Sequence, residues 1–138
     1  MAIRGVRGAT TAEANTKEAI LEATKELLHS LVEANDIRLD DVAFTYFTTT
    51  PDLNAEFPAV AARQMGWNDV PLLCGHEMAV PDALPMCLRV LLVINTDKSP
   101  QAISHVYLRA AKGLRSRGID ELVSSDSPAR SQGGGRKV

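Results

Sequence analysis

The stretch Pro71-Leu72-Leu73-Cys74-Gly75-His76-Glu77-Met78, followed across a proline-broken turn by Cys87-Leu88-Arg89-Val90-Leu91-Leu92-Val93-Ile94-Asn95-Thr96, decides the fold of this chain. From Leu88 to Ile94 both alternating positions are apolar except at Arg89, which is how a strand covered on both faces reads. Two ionisable residues, Glu77 and Arg89, thus stand where an apolar sheet is expected. A guanidinium in partly dehydrated surroundings needs a partner. The competing reading puts Arg89 on an exposed strand edge and Glu77 in a solvated loop.

Outward from this stretch, strands and helices alternate. Ala2 to Ala9 alternates like a strand, with Gly5 and Gly8 clearing space beside Arg7. These glycines do not make a phosphate loop, because the lysine-bearing pattern is missing and no helix follows at once. Asn15 to Asn35 is the clearest helix, with Asn15 as the expected cap and Glu18 completing a capping-box-like pattern. Ile20, Leu21, Ala23, Leu27, Leu28, Leu31 and Val32 form its apolar side, while Lys17, Glu22, Lys25, Glu26, His29 and Glu33 form a solvated one.

Val42 to Thr49, rich in β-branched and aromatic residues, reads as a second strand. Pro58 to Met65 is a short helix opened by proline and stopped by Gly66, Val70 to Cys74 a third strand, and Leu88 to Thr96 a fourth. Between Ser99 and Arg115 the reading is a short helical turn and then a fifth strand through His105-Val106-Tyr107-Leu108. Residues 116–138 have the composition of a flexible tail behind a domain spanning 1–115. The fold expected is a single α/β (α+β-like) domain with too few helices to cover both faces of its sheet. A bare apolar sheet face exceeds what monomers tolerate, so a second copy of the chain is the simplest cover.

With 138 residues, 45% hydrophobic and 23% charged, the chain can bury a real core. A net charge of −2 without a basic run, and few aromatics, argue against nucleic acid as a partner. No stretch approaches the roughly 18 apolar residues of a membrane span, and Met1 to Ala14 has no secretory apolar core, so no membrane partner is expected and the expected location is the cytoplasm. Cys74 and Cys87, twelve residues apart, match no metal or redox spacing and are expected as free thiols.

The chemistry narrows by elimination. His76-Glu77 opens like a zincin motif, but Val80 stands where the second histidine would be, so no metal site is expected. There is no G-x-S-x-G elbow. What remains is Arg7, Arg63, Arg89 and Arg115, with a glutamate, a tyrosine and a cysteine. Arginine pairs with carboxylates in two-pronged fashion and stays charged, while Glu77 can accept from a hydroxyl. A small dicarboxylate is the natural guest.

Five motifs in order, Ile3-Arg4-Gly5-Val6-Arg7-Gly8-Ala9-Thr10-Thr11, Thr50-Pro51-Asp52-Leu53 with Phe57-Pro58-Ala59, Cys74-Gly75-His76-Glu77-Met78, Cys87-Leu88-Arg89-Val90 and His105-Val106-Tyr107-Leu108, resemble the monofunctional chorismate mutases of the trimeric α/β class. The resemblance spans residues 2 to 115. It implies a five-stranded mixed sheet, a homotrimer built as a pseudo-α/β barrel, active sites between subunits, and the cofactor-free Claisen rearrangement of chorismate to prephenate. By the same resemblance Arg89 and Glu77 would be catalytic, Arg89 at the breaking ether oxygen and Glu77 at the ring hydroxyl. Arg7 and Tyr107 would hold the side-chain carboxylate, Cys74 would lie near the ring hydroxyl and Glu77, and Phe57, Ala59, Leu72, Leu73 and Leu114 would complete the pocket. Arg63 and Arg115 would steer its mouth.

Three features depart from the family pattern. Val60 stands in place of a lysine, Gly75-His76 in place of a bulkier pair, and Ser116-Arg117 follows Arg115 where Pro-Asp is common. The alternatives are a non-catalytic trimer binding an anionic metabolite and a similarly folded enzyme of the reactive-enamine deaminase group.

Overall fold

A computed structural model describes residues 1–116, with side chains as far as Leu114. Strands β1 (Ala2–Thr11), β2 (Val42–Thr49), β3 (Leu72–His76), β4 (Cys87–Thr96) and β5 (Val106–Tyr107) form one sheet in the order β3-β2-β4-β1-β5. The central β4 runs antiparallel to both β1 and β2, whereas β3 lies parallel to β2 and β5 parallel to β1. Parallel neighbours need long connections. Helix α2 (Ala59–Gln64) lies in the crossover from β2 to β3, and α1 (Lys17–Asn35) in the one from β1 to β2.

α1 forms where its apolar residues recur at helical spacing, and that stripe buries Ile20, Ala23, Leu27, Leu28 and Leu31 completely. Opposite them the sheet presents Val6, Phe47, Leu88, Val90 and Leu92. The helix approaches so closely at Gly8 that an added Cβ would stand 2.8 Å from Leu31 Cδ1 and 3.1 Å from Leu27 Cδ1. Gly8 therefore makes room for the helix rather than for Arg7.

The cap differs from expectation. Thr16 is the N-cap, its Oγ1 accepting from the Ala19 N–H at 3.1 Å. Asn15 instead ties two loops together: its Oδ1 accepts from the backbone N–H groups of Asn54 and Ala55. At the other end Asp36 is left-handed at φ 53°, and Lys98 Nζ donates to the Asn35 carbonyl at 2.7 Å, satisfying an end-of-helix acceptor.

β3 begins two residues later than its reading. Pro71 has no N–H to enter the ladder, although its carbonyl accepts from Thr45 N–H at 3.0 Å, and pairing starts at Leu72 opposite Thr45. The ladder then runs to His76, and the Glu77 N–H continues it onto the Thr49 carbonyl at 2.8 Å. The short turn (Pro100–Ala102) and fifth strand are found where expected, but Arg109–Ser116 forms a further 3-10 turn against β1. The tail expected beyond it lies outside the described residues.

The helices cover one face only. On the other face Ile3 is 64% exposed, Phe44 43% and Leu73 65%. Residues of this parity on β1 and β4 include Arg7, Arg89 and Leu91. Among the described residues β4 is thus not covered on both faces, and the Arg89 side chain is 48% exposed rather than dehydrated.

Candidate active site

Strand alternation and register bring the ionisable residues together. Arg89 sits directly across from Thr48 on β2 and from Ala9 on β1. Glu77, carried one residue past β3, turns its carboxylate onto Arg89: Nε donates to Oε2 at 2.9 Å, and Nη2 reaches Oε1 at 3.4 Å. The partner that Arg89 requires is therefore Glu77. The Thr48 hydroxyl also donates to Oε2.

Arg7 and Tyr107 join them, and all four border one open cleft of about 370 Å³. The placement of Arg7 depends on β5. This strand is only two residues long, but His105 lengthens its grip, Nδ1 accepting from the Arg7 backbone N–H at 2.9 Å. The Leu108 N–H then donates to the Ala9 carbonyl at 2.9 Å. Two positive charges, a carboxylate and a phenol around one cavity suit an anion that also carries a hydroxyl.

The remaining predicted residues gather elsewhere. Phe57 and Cys74 line a second cleft of about 310 Å³, which His76 also borders. Cys74 lies an odd number of strand positions from Glu77, so it packs toward the helix-covered core and is not beside Glu77 within one chain. Burial pushes the Cys74 thiol above its ordinary value, while a hydrogen bond with the Ala59 backbone and the charge of Arg63 act against this. Ala59 and Arg63 on α2 therefore belong to the Phe57–Cys74 group. Leu72 packs on the core, Leu73 is exposed on the open sheet face, and Leu114 is half-buried in the last 3-10 turn; none borders either cleft. The Arg115 side chain lies outside the described residues.

Cys87, at the start of β4, is buried and free, as is the half-buried Cys74. Burial pushes the Cys87 thiol up to about 11 despite the nearby Arg89, with Glu77 and Asp52 adding to the rise. Asp52 anchors the segment returning from Glu77 to β4: its Oδ2 accepts from Met86 N–H at 2.9 Å, and the Thr50 hydroxyl, which also donates to it, is the main cause holding its carboxyl below the usual value.

Sequence reasoning missed Tyr46 and Thr48, both on the first cleft. Alternation from the buried Phe47 puts them on the open face, but facing Arg89 depends on the β2–β4 register, which a shift between Val42 and Phe44 displaces. Tyr46 also accounts for Gly75, since its hydroxyl lies 2.7 Å from where a Cβ would stand.

Comparison with known proteins adds an independent line. Residues 3–117 match the family model for chorismate mutase type I. The chain is 50% identical over 114 residues to the chorismate mutase AroH of Thermus thermophilus, covering 82% of this chain and 93% of that one. It is 46% identical over 116 residues to the chorismate mutase AroH of Bacillus subtilis, covering 83% and 91%. A solved chorismate mutase from Clostridium thermocellum superposes with a TM-score of 0.77 at 46% identity, covering 78% of this chain and 96% of that one.

Proposed function

The chain belongs to the type I chorismate mutase family, and on that premise we propose that it converts chorismate to prephenate at the cleft where Arg89, Glu77, Arg7 and Tyr107 converge. The single observation that carries the placement is the Arg89–Glu77 pair sharing one cleft with Arg7 and Tyr107. A pericyclic rearrangement needs no nucleophile and no proton shuttle. It needs the substrate held as a compact chair and a fixed positive charge where the ether oxygen becomes negative.

In this reading the substrate inserts between the paired residues. Arg89 turns a donor from Glu77 to the ether oxygen, where the bond to carbon breaks as the new carbon–carbon bond forms. Glu77 accepts from the ring hydroxyl. Arg7 and Tyr107 hold the side-chain carboxylate and so fix the conformer. Nothing is transferred to or from the protein, and the hydrogen bond to the ether oxygen strengthens as negative charge builds there.

Phe57, Ala59, Cys74 and Arg63 then complete the site from a neighbouring subunit of a trimer. Two features support this: the predicted set divides between two clefts within one chain, and the sheet face around Arg89 carries exposed Ile3, Phe44 and Leu73. In that assembly Cys74 approaches a neighbour's Glu77 rather than its own, Leu72 and Leu73 serve the pocket from opposite faces of β3, and Leu114 and Arg115 close the mouth. Val60 leaves the rim one cation short of the family pattern. No helix among the described residues is long and apolar enough to cross a membrane, and a cytoplasmic place in aromatic amino-acid synthesis fits the reading. The test is direct: purified protein should consume the ultraviolet absorbance of chorismate and yield prephenate as sole product. Persistence of chorismate, or a different product, overturns the reading.

A further inference from the structure

Glu77 has two oxygens, and the structure treats them differently. Oε2 takes both Arg89 Nε, at 2.9 Å, and the Thr48 hydroxyl, whereas among the described residues Oε1 has only the long 3.4 Å approach of Arg89 Nη2. Thr48 lies on β2 opposite both Arg89 and Gly75, and the adjoining Thr49 carbonyl holds the Glu77 backbone N–H at 2.8 Å. Backbone and side chain of Glu77 are thus both fastened to one strand.

We propose that Thr48 is a positioning residue for Glu77: its hydroxyl holds Oε2 so that Oε1 remains presented to the hydroxyl of the substrate when Arg89 turns away. The inference rests on the assignment of Glu77 above. Its logic is one of exchange. When Arg89 redirects its donors to the substrate, Glu77 loses its charged partner, and a carboxylate beyond the end of a strand would otherwise be free to rotate. Thr48 is the partner that need not leave. A single hydroxyl suffices because a hydrogen bond to an ionised acceptor is stronger than one between neutral groups.

The test compares Thr48→Val, which keeps the shape and removes the donor, with Thr48→Ser, which keeps the donor. Steady-state kinetics on chorismate should show KM raised about tenfold in Thr48→Val with kcat little changed, the pattern of lost uniform binding, and Thr48→Ser should recover most of the loss. In a Glu77→Ala background, Thr48→Val should add no further loss, because its effect passes through a carboxylate that is no longer there. If Thr48→Val folds poorly, Thr48→Ala at this half-buried site gives the same comparison. A merely structural threonine would lower the active fraction, hence kcat, leave KM alone and act additively with Glu77→Ala; that outcome overturns the proposal. If Glu77→Ala raises KM and Thr48→Val does not, this inference alone fails. If Glu77→Ala leaves KM and kcat unaltered, the assignment of Glu77 fails and takes this inference with it.

Discussion

Arg89 shows what a single position in a strand conveys. Its break in an apolar run marks it in the bare sequence as a charge that needs a partner, and the structure supplies Glu77. The distance of 2.9 Å between Nε and Oε2 meets that need. Its surroundings are less legible, because apolar residues on both parities signal burial by something, and here the described residues cover only one side. Replacing Arg89 by Ala should lower kcat by at least about 10²-fold, the scale for loss of one donor aimed at a developing oxyanion, and Lys should rescue poorly because a point charge on a flexible stem lacks the guanidinium's fork. Steady-state kinetics with circular dichroism of the variants checks this.

Cys87 supplies a residue-scale test by pH. Its thiol, pushed up to about 11 chiefly by burial, keeps its proton in the folded chain where an unfolded one has begun to ionise, near 9. The folded state thus holds more protons over that interval, and stability falls as pH rises from about 9 toward 11. At pH 8 a thiol reagent should leave Cys87 unmodified in the native protein and label it in denaturant, as read by peptide mass spectrometry. Rapid native labelling of Cys87 would contradict the burial.

Among the elements, α1 and β2 are legible because each combines a strong period with a clear boundary, and β2 runs from Val42 to Thr49 as read. The cap is not, since Asn15 and Thr16 are both good caps, and only the loop at Asn54 and Ala55 decides which side chain is otherwise engaged. Gly8 is legible as a close approach but not as to what approaches, because that depends on where α1 crosses the sheet. Gly8→Ala should therefore destabilise by about 1–3 kcal/mol through overpacking against Leu31 and Leu27, measured by urea unfolding.

The edge element β5 is held partly by a side chain. His105→Ala should speed hydrogen exchange at the Arg7 and Leu108 amides, whereas His105→Asn, whose Oδ1 can take the place of Nδ1, should preserve protection. Equal exchange in both variants would mean that β5 does not depend on the imidazole. Neither this contact nor the Thr48–Glu77 bond is readable from the chain, since both follow from register between strands distant in sequence.

For the whole molecule, the division of the candidate site residues between two clefts is the feature with the largest consequence for experiment. In the proposed site Arg89→Ala should disable one wall, and Phe57→Asp the other by setting a carboxylate against an anionic substrate. In the proposed trimer, the two dead variants unfolded together in equal amounts and refolded should assort at random, and about one quarter of interfaces should receive two intact walls. Activity near that fraction of wild type is expected from parents that separately show almost none. A mixture that stays inactive while both parents remain trimeric places the site within one subunit.

The end of β3 separates the two clefts, and His76 borders both. In the proposed ring each copy of this strand serves as a party wall, one surface belonging to its own pocket and the other to a neighbour's. A substitution that reshapes it alters two reaction chambers per copy at once and in different ways, so their tuning is bound together. Selection can then refine this end of the strand around His76 only along the narrow set of changes that both tenants tolerate.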